Sequence, residues 1–301
     1  MCGIVGLHLR DPALYPRLGR LLTTMLDGVA ERGPDSAGVA VYGDRARCPA
    51  GHAAVSVLDL DRPPRALADA VSTYLRGGRD VVARTAADTT VLTAPVEPGV
   101  LAEAVRAVAP GALVVGTGRD LVVYKGVGRP ADLAGADALA DATGWQGLAH
   151  TRMATESAVT ASGCHPFSVG ADQCLVHNGS FANHATIRRE LRREGVVFDS
   201  ENDSEVGARF VAARLAAGED LEKALRSLAE RFDGFYTLLV TSADGFAVVR
   251  DAIACKPAIV AETDGWVAMA SEFRALAELP GIDDARMYEP APGRVYAWRR
   301  W

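Results

Sequence analysis

Apolar residues near the beginning of the chain follow two patterns in turn. Continuous apolar runs over 2–9 and 37–42 predict short buried strands. Between them, over 14–29, Leu, Met and Val recur every three or four positions, which predicts a helix. Asp11-Pro12 is a suitable start for this helix and Gly33-Pro34 a suitable end. The first part of the chain is therefore predicted to run strand, helix, glycine-rich turn, strand.

The composition changes between about 50 and 145, where Ala, Val, Asp and Arg dominate. The pattern predicts strands over 53–58, 80–85, 88–93, 112–117 and 120–125, and helices over 66–76, 98–109 and 130–141. We interpret this segment as an α/β insertion. Its glycines in GTGRD and KGVGRP do not form a phosphate loop, because neither precedes a helix with the required Lys-Ser/Thr pair.

The second half of the chain is again mixed. Helices are predicted over about 182–194, 204–217 and 219–231, with Gly195 and Gly218 ending the first two. Five strand-like segments follow, namely FYTLLVT, GFAVVRD, AIVAE, WVAMASE and RVYAW. The chain shows no internal repeat and no low-complexity linker.

Composition excludes several classes of protein. The length of 301 residues allows one large domain or two small ones. A net charge of −6 argues against a nucleic acid or an anionic membrane as the partner. No apolar run approaches the roughly 20 residues that span a membrane. Five cysteines, an odd number without a C-x-x-C pair, predict no metal site and a reduced, cytoplasmic protein.

Cys2 is the cysteine whose position suggests chemistry. Methionine aminopeptidases usually remove Met1 before a small residue, which would give Cys2 a free α-amino group. That amine has an ordinary pKa of about 7.7–8.0, beside a thiol of about 8.5. An amine of near-neutral pKa next to a thiol supplies a general base and a nucleophile in one residue.

Six short motifs occur in a fixed order along the chain. They are MCGIVG at the beginning, RGPDSAG at 32–38, HTRMAT at 150–155, HPF at 165–167, HNG at 177–179 and NDSE at 202–205. This set resembles the class II glutamine amidotransferases, which are N-terminal-nucleophile hydrolases. The resemblance covers 1–42 and about 147 to the end. It implies an α+β fold, a four-layer αββα sandwich, that spans 1–301 and is interrupted by the insertion at about 50–145.

The resemblance also implies a role for each matching residue. Cys2 is the nucleophile, and Asn178 and Gly179 donate hydrogen bonds to the oxyanion of the tetrahedral intermediate. Arg152 grips the α-carboxylate of L-glutamine, since a guanidinium binds a carboxylate through two hydrogen bonds. Asp203 pairs with the α-ammonium group.

Simpler interpretations exist for the same residues. Arg152 without its flanking His150-Thr151 and Ala154-Thr155 would indicate a surface ion pair. Asn178-Gly179 is the usual dipeptide of a type I′ hairpin turn. Asp203 stands where an N-cap of the following helix is expected, and it could serve as cap and ligand together.

Five neighbouring residues are candidates for support of the site. Thr155 is expected close to the glutamine head, and His165 is expected to brace the glutamine-binding loop. His177 is treated in the same way. Arg32 and Asp35 are expected to hold the turn near Cys2, outside direct contact with substrate. The remaining buried cysteines are expected to pack in the core.

The chain departs from the family pattern in two ways. Where glucosamine-6-phosphate synthase has an aromatic residue after the arginine and His-Gly after the threonine, this chain has Met153 and Glu156-Ser157. The pocket wall is therefore expected to differ. The chain also ends at Trp301, so no synthase domain is expected after the amidotransferase region, and the ammonia is expected to go to a separate polypeptide.

Phrases such as HTRMATES, VHNGSFAN, NDSEV and RDAIACKPA are similar to those of the GlxB-type amidotransferase subunits. These accompany glutamate-synthase-like proteins and include the amidotransferase subunit of N-methylglutamate synthase. The resemblance implies a glutamate-synthase-like partner subunit that carries FMN and an iron–sulfur cluster, with no cofactor in this chain. Two alternatives remain open: a different N-terminal-nucleophile amide hydrolase, and a regulatory or vestigial subunit that binds an amino acid without hydrolysing it.

Overall fold

The apolar run at the beginning of the chain forms the central strand of the molecule. In the computed structural model, which describes residues 2–76, 79–136, 138–153 and 159–300, this run is β1 (Gly3–Leu9), and all seven of its residues are buried. A strand that is covered on both faces needs apolar residues on both. This explains why the sequence shows a continuous run and no alternation.

β1 lies in the middle of a seven-stranded sheet, here called sheet A. From one edge to the other its strands are β14 (Arg286–Tyr288), β12 (Ile259–Glu262), β13 (Trp266–Ala270), β1, β8 (Gln146–Arg152), β2 (Ser36–Tyr42) and β7 (Leu121–Val127). β1 pairs antiparallel with both of its neighbours. The beginning of β1 therefore lies beside the ends of β8 and β13.

A four-stranded sheet, sheet B, packs against one face of sheet A. Its strands, in spatial order, are β15 (Val295–Arg299), β11 (Gly245–Arg250), β10 (Gly234–Thr241) and β9 (Cys174–Phe181). The apolar layer between the sheets includes Ile4 and Leu148 from sheet A and Val176, Leu239 and Phe246 from sheet B. These side chains are at most 1% exposed, so water is excluded between the sheets.

Helices cover the outer face of each sheet. α1 (Leu18–Val29) packs on sheet A through Leu22, Met25 and Leu26. The outer face of sheet B is covered by α5 (His184–Arg193), α6 (Asp203–Ala216) and α7 (Leu221–Arg231). The order helix, sheet, sheet, helix confirms the predicted four-layer αββα sandwich.

A third sheet, sheet C, lies within the segment predicted as an insertion. In chain order its elements are β3 (Ala53–Leu58), α2 (Pro64–Tyr74), β4 (Val82–Ala86), β5 (Thr89–Ala94), α3 (Pro98–Val108) and β6 (Leu113–Gly118). The spatial order β4-β5-β3-β6 is that of a split β-α-β unit. Leu67, Leu101 and Val105 of the two helices pack on Val55 and Leu92.

The part of this segment that follows sheet C joins the main body. β7 pairs with β2 at the edge of sheet A, and α4 (Pro130–Ala136) packs near α1. Side chains of sheet C and its turns bind the outer backbone groups of β7: Ser56 Oγ accepts from Val123 N at 3.2 Å, and Thr89 Oγ1 accepts from Lys125 N at 2.8 Å. The boundaries of 50–145 stay a prediction, and the strands of sheet C occupy 53–118.

Candidate functional site

Cys2 stands immediately before β1, at the end of sheet A where three neighbouring strands converge. Its carbonyl oxygen accepts two hydrogen bonds, from Arg32 Nε at 3.0 Å and from Asn178 Nδ2 at 3.1 Å. Its thiol is half-buried, with the sulfur 3.9 Å from the carbonyl oxygen of Met153. The backbone of Cys2 is thus held by side chains from two other segments, while the thiol stays accessible from one side.

Arg32 and Asp35 lie in the turn between α1 and β2, and Arg32 contacts the backbone of Cys2. Arg32 Nη1 makes an ion pair with Glu272 Oε1 at 2.5 Å, which joins this turn to the end of β13. The backbone N–H of Asp35 donates to the carbonyl of Arg152 at 3.2 Å. Arg32 also lines the cleft described below. Arg32 therefore contacts Cys2 directly, whereas Asp35 contacts the backbone of Arg152, and the roles of both residues stay predictions.

A cleft of about 890 Å³ opens in front of Cys2. Its lining includes most of the residues predicted from sequence, namely Cys2, Arg32, Arg152, His165, His177, Asn178, Gly179 and Asp203. Thr155 lies outside the described residues. The structure therefore brings the motifs of the two halves of the chain to one place, although 176 positions separate Cys2 from Asn178.

Arg152 is the last residue of β8 and is 9% exposed. Gly163 faces its guanidinium: a Cβ at that glycine would lie 2.7 Å from Arg152 Nη1. The absence of a side chain at position 163 therefore leaves room for the guanidinium. A nearly buried arginine at the wall of a cleft does not fit the alternative of a surface ion pair.

Asp203 is the first residue of α6 and faces the same cleft. Its Oδ2 accepts a hydrogen bond from the backbone N–H of Phe181 at 2.9 Å. The N-cap is its neighbour Asn202, whose side-chain oxygen accepts from Ser204 N. The interpretation of Asp203 as the cap of this helix is therefore wrong, and its carboxylate lies at a helix N-terminus, which favours negative charge.

Asn178 and Gly179 lie inside β9, opposite Thr237 and Tyr236 of β10. The alternative that this pair forms a type I′ hairpin turn is therefore wrong. Gly179 has a φ of +135°, and a Cβ there would lie 1.9 Å from the carbonyl oxygen of Phe235. Only glycine fits this position, because a side chain would meet both the strained φ and the neighbouring backbone.

Three buried histidines lie beside the cleft. The ring of His165 is 4.2 Å from that of His150 and 6.3 Å from that of His177, measured between centroids. Burial lowers the pKa of His150 to about 3, that of His177 to about 4, and that of His165 well below its usual range. All three rings are therefore neutral near pH 7.

The contacts of these rings differ. His177 Nδ1 lies 2.8 Å from Ser204 Oγ, and His150 Nε2 lies 3.1 Å from Asn178 Oδ1. Within the described part of the chain, neither ring nitrogen of His165 has a hydrogen-bond partner. The ring of His165 lies edge-on to Phe167 at 5.1 Å. The expected bracing and substrate-binding roles of His165 and His177 stay predictions.

Lys256 and Ser271, like His150, were missed as site residues in the sequence, although all three stand in segments that resemble the family. Lys256, in RDAIACKPA, lines the cleft and places its ammonium 5.2 Å from the ring centroid of Phe235. Ser271, in the segment ASE, accepts a hydrogen bond from Ile4 N at 2.9 Å and one from Asn178 Nδ2 at 3.4 Å. Segment similarity was the signal that could have identified them.

A metal centre needs several suitable side chains close together. Among residues 2–76, 79–136, 138–153 and 159–300, no group of three or more His, Cys, Asp or Glu side chains is arranged to hold a metal ion. In the same ranges, no helix has the length and apolar character that a membrane span requires.

Comparison with known proteins agrees with the geometry. Residues 150–278 match a family model described as a glutamine amidotransferase domain. The chain is 46% identical to the glutamine amidotransferase-like protein GlxB of Rhizobium meliloti (strain 1021), over 99% of this chain and 98% of that protein. It is 29% identical to a putative glutamine amidotransferase of Methanothermobacter thermautotrophicus, over 98% of this chain and 99% of the relative.

A solved structure shows the same fold. Glutamine phosphoribosylpyrophosphate amidotransferase from B. subtilis superimposes with a TM-score of 0.62 at 16% identity. The match covers 98% of this chain and 47% of that one. The full-length likeness to GlxB, together with this fold, shows that the chain belongs to the class II glutamine amidotransferases.

Proposed function

We propose that this chain hydrolyses the side-chain amide of L-glutamine with Cys2 as the nucleophile. The thiol sulfur bonds to the amide carbon and the carbon–nitrogen bond breaks. The thiol proton leaves with the amine, so the products are ammonia and a γ-glutamyl thioester. Water then adds to the thioester, which gives glutamate and restores the thiol. Removal of Met1 supplies the α-amino group that takes up and returns the proton.

The observation that carries this proposal is that a guanidinium and a carboxylate line the same cleft as the Cys2 thiol. Arg152 supplies a planar guanidinium, which binds a carboxylate through two parallel hydrogen bonds. Asp203 supplies a carboxylate for an ammonium group. Cys2, Arg152 and Asp203 all line the cleft. An α-amino acid carries both of the matching charges, so this site selects an amino acid whose side chain reaches the thiol.

The reaction also needs hydrogen-bond donors to the oxyanion of the tetrahedral intermediate. Asn178 Nδ2 is held 3.1 Å from the carbonyl oxygen of Cys2, so its amide lies beside the nucleophile. One of its two N–H groups serves that contact, and the other makes only the long 3.4 Å contact with Ser271 Oγ, which a hydrogen bond to the oxyanion would replace. Gly179 contributes its backbone at a position that tolerates no side chain. Removing one such donor from an enzyme lowers kcat by roughly 10²–10³-fold.

The destination of the ammonia belongs to the same proposal. We propose that it passes to a separate glutamate-synthase-like subunit, which carries FMN and an iron–sulfur cluster, and that the complex works in the cytoplasm. The shared phrases HTRMATES, VHNGSFAN and RDAIACKPA support this assignment. All five cysteines are free thiols, in keeping with a reducing compartment.

Covalent labelling tests the nucleophile. The chain, alone and with its synthase subunit, is incubated with a diazoketone analogue of glutamine, digested and examined by mass spectrometry. We expect the label on Cys2 alone and no label on the Cys2→Ala variant. Cys255→Ala is the matched control, since it removes an exposed thiol and should leave labelling unchanged. Label on another residue, or no label with the synthase subunit present, would refute the proposal.

Two measurements separate the alternatives. Arg152→Ala should weaken hydrolysis of glutamine far more than that of amides that lack an α-amino acid head. Equal losses would favour a general amide hydrolase. Intact-mass measurement of the mature chain shows whether Met1 is removed, and a retained Met1 would favour a regulatory subunit, because the thiol would lack its amine.

A further inference from the structure

The side-chain amide of Asn178 is held at both of its ends. Its nitrogen lies 3.1 Å from the carbonyl oxygen of Cys2 and 3.4 Å from Ser271 Oγ. Its oxygen lies 3.1 Å from Nε2 of His150. His150 stands on β8 and Asn178 on β9, so this contact crosses from sheet A to sheet B.

Chemistry fixes the direction of each hydrogen bond. A backbone carbonyl accepts and never donates, so the NH₂ group of Asn178 must face Cys2. The amide oxygen then faces His150, and it accepts only. His150 must therefore carry its proton on Nε2 and donate it. The other tautomer would set two lone pairs against each other at 3.1 Å and leave an N–H on the buried Nδ1, which has no partner among the described residues.

We propose that His150 is a positioning residue for catalysis: as a permanent Nε2–H donor, it holds the amide plane of Asn178 so that the NH₂ group stays beside the Cys2 thiol. This inference rests on the proposed hydrolysis of glutamine. His150 touches neither the sulfur nor the substrate in this role. It acts by fixing the rotamer of Asn178 and by polarising the amide, which strengthens the N–H donors at the opposite end.

The surroundings of His150 suit a donor that never changes its charge. The side chain is 1% exposed and its ring packs on that of His165. Burial lowers the pKa of His150 to about 3, so the ring stays neutral over the working range of an enzyme. Arg152, two residues along the same strand, disfavours a charged ring as well. A neutral ring with one fixed tautomer gives one hydrogen bond of constant direction.

Ser271 supports the same amide from the other side. Its hydroxyl oxygen accepts from Ile4 N at 2.9 Å and faces Asn178 Nδ2 at 3.4 Å. The longer distance makes this the weaker of the two contacts. Ser271 and the carbonyl of Cys2 thus hold only the nitrogen end of the amide, and the contact with His150 fixes its oxygen end.

Three variants at position 150 test the proposal. Gln places its Nε2–H₂ group about where the imidazole Nε2–H lies, Asn is too short to reach, and Leu has no donor. We expect His150→Gln to keep most of the wild-type kcat for glutamine. His150→Asn and His150→Leu should lower kcat by roughly 10- to 100-fold, below the loss from removing an oxyanion donor itself. KM for glutamine should change little in all three, because Arg152 and Asp203 are untouched.

A double-mutant cycle separates positioning from a general structural role. In the background of Asn178→Ala, His150→Leu should cost little further activity, because its target is gone. Equal losses of kcat in both backgrounds, or no rescue by Gln, would overturn the proposal. A wild-type chain that releases no glutamate from glutamine, with its synthase subunit present, would instead refute the proposed function.

A spectroscopic measurement tests the proposal without an activity assay. Nitrogen-15 NMR of the imidazoles in the whole chain distinguishes the two neutral tautomers, and the chain has six histidines to assign. We expect the His150 signal, identified by its loss in His150→Gln, to show the Nε2–H tautomer from pH 5.5 to 8. The Nδ1–H tautomer, or titration of the ring within this range, would overturn the proposal.

Discussion

The buried side chain of Lys125 gives a testable prediction about how the free energy of unfolding depends on pH. This lysine of β7 is 1% exposed, and its ammonium donates to the carbonyl oxygen of Cys164 at 2.8 Å. The ammonium also lies 4.9 Å from the ring centroid of Phe167. Both contacts reach the segment that carries His165 into the cleft. Burial lowers the pKa of Lys125 from 10.5 to about 8.

The sign of the pH effect follows from the two pKa values of Lys125. Below pH 8 the lysine is charged in the folded and unfolded chains, and the folded chain bears the full penalty of a buried charge. Between pH 8 and 10.5 the unfolded chain holds a proton that the folded chain has lost, so the free energy of unfolding rises with pH. The difference of about 2.5 units between the two pKa values of Lys125 corresponds to about 3.4 kcal/mol of unfolding free energy in total.

Lys125→Met removes this dependence while keeping a long side chain in the same space. Between pH 7 and 9.5 the wild-type chain should gain about 2 kcal/mol of unfolding free energy relative to the variant, which is the part of the total that falls in this window. Urea unfolding of both proteins at the two pH values, in the presence of a thiol reductant, measures the difference. Lys223→Met, which alters an exposed lysine of α7, is the control and should follow the wild type.

The result that would refute this reasoning is a variant with the same pH dependence as the wild type. It would mean that Lys125 does not release its proton before the unfolded chain does. A wild-type chain that loses stability over this range relative to Lys125→Met would also refute it, because the sign would be opposite. Changes shared by all three proteins come from other groups and cancel in the comparison.

Two other predictions concern the guanidinium of Arg152 and the ring of His177. Gly163→Ala places a Cβ 2.7 Å from Arg152 Nη1, so the guanidinium must move. KM for glutamine should therefore rise roughly tenfold, with a smaller change in kcat. An unchanged KM in steady-state assays would contradict this prediction. Burial lowers the pKa of His177 from 6.5 to about 4, so stability should fall as the pH drops through this range. His177→Asn should lose less unfolding free energy between pH 7 and 5, and an equal loss would count against this assignment.

Most elements could be predicted because their patterns are local. The predicted helix over 204–217 corresponds to α6 (Asp203–Ala216), and Gly218 follows it with a φ of +89°. Gly195 follows α5 in the same way, with a φ of +90°. A left-handed residue after a helix is where glycine is favoured, so the sequence carries the signal directly.

Three strands were missed in the sequence, namely the three-residue edge strand β14 and the buried strands β8 and β9. β8 and β9 carry His150, Thr151, Arg152, His177 and Asn178, so neither shows the apolar run or the alternation that indicates a strand. Every residue of β8 is buried all the same. The polar residues are stable there because they contact each other and the backbone of other segments. Burial of that kind depends on the tertiary structure and leaves no periodic pattern.

For the candidate site, the sequence could predict the residues but not the contacts between them. The order of the motifs could predict which residues matter, because it rests on resemblance to a family. It could not predict that His150 contacts Asn178, that Lys125 reaches Cys164, or that Asn202 caps α6 in place of Asp203. Each of these contacts depends on the distances between strands and helices, or on the exact residue at which a helix begins, which the sequence leaves uncertain by a few positions.

The antiparallel order of sheet A explains why distant motifs meet at Cys2. Because β1 opposes both neighbours, Gly3 pairs with Thr151 at the end of β8, and Val5 pairs with Ala270 at the end of β13. A slip of one residue between β1 and β8 would turn the side chains of one strand to the opposite face relative to the other. Arg152 would then leave the cleft while every apolar run stayed intact. The register of the buried strands is therefore what the chemistry depends on, and the large apolar core is what fixes that register.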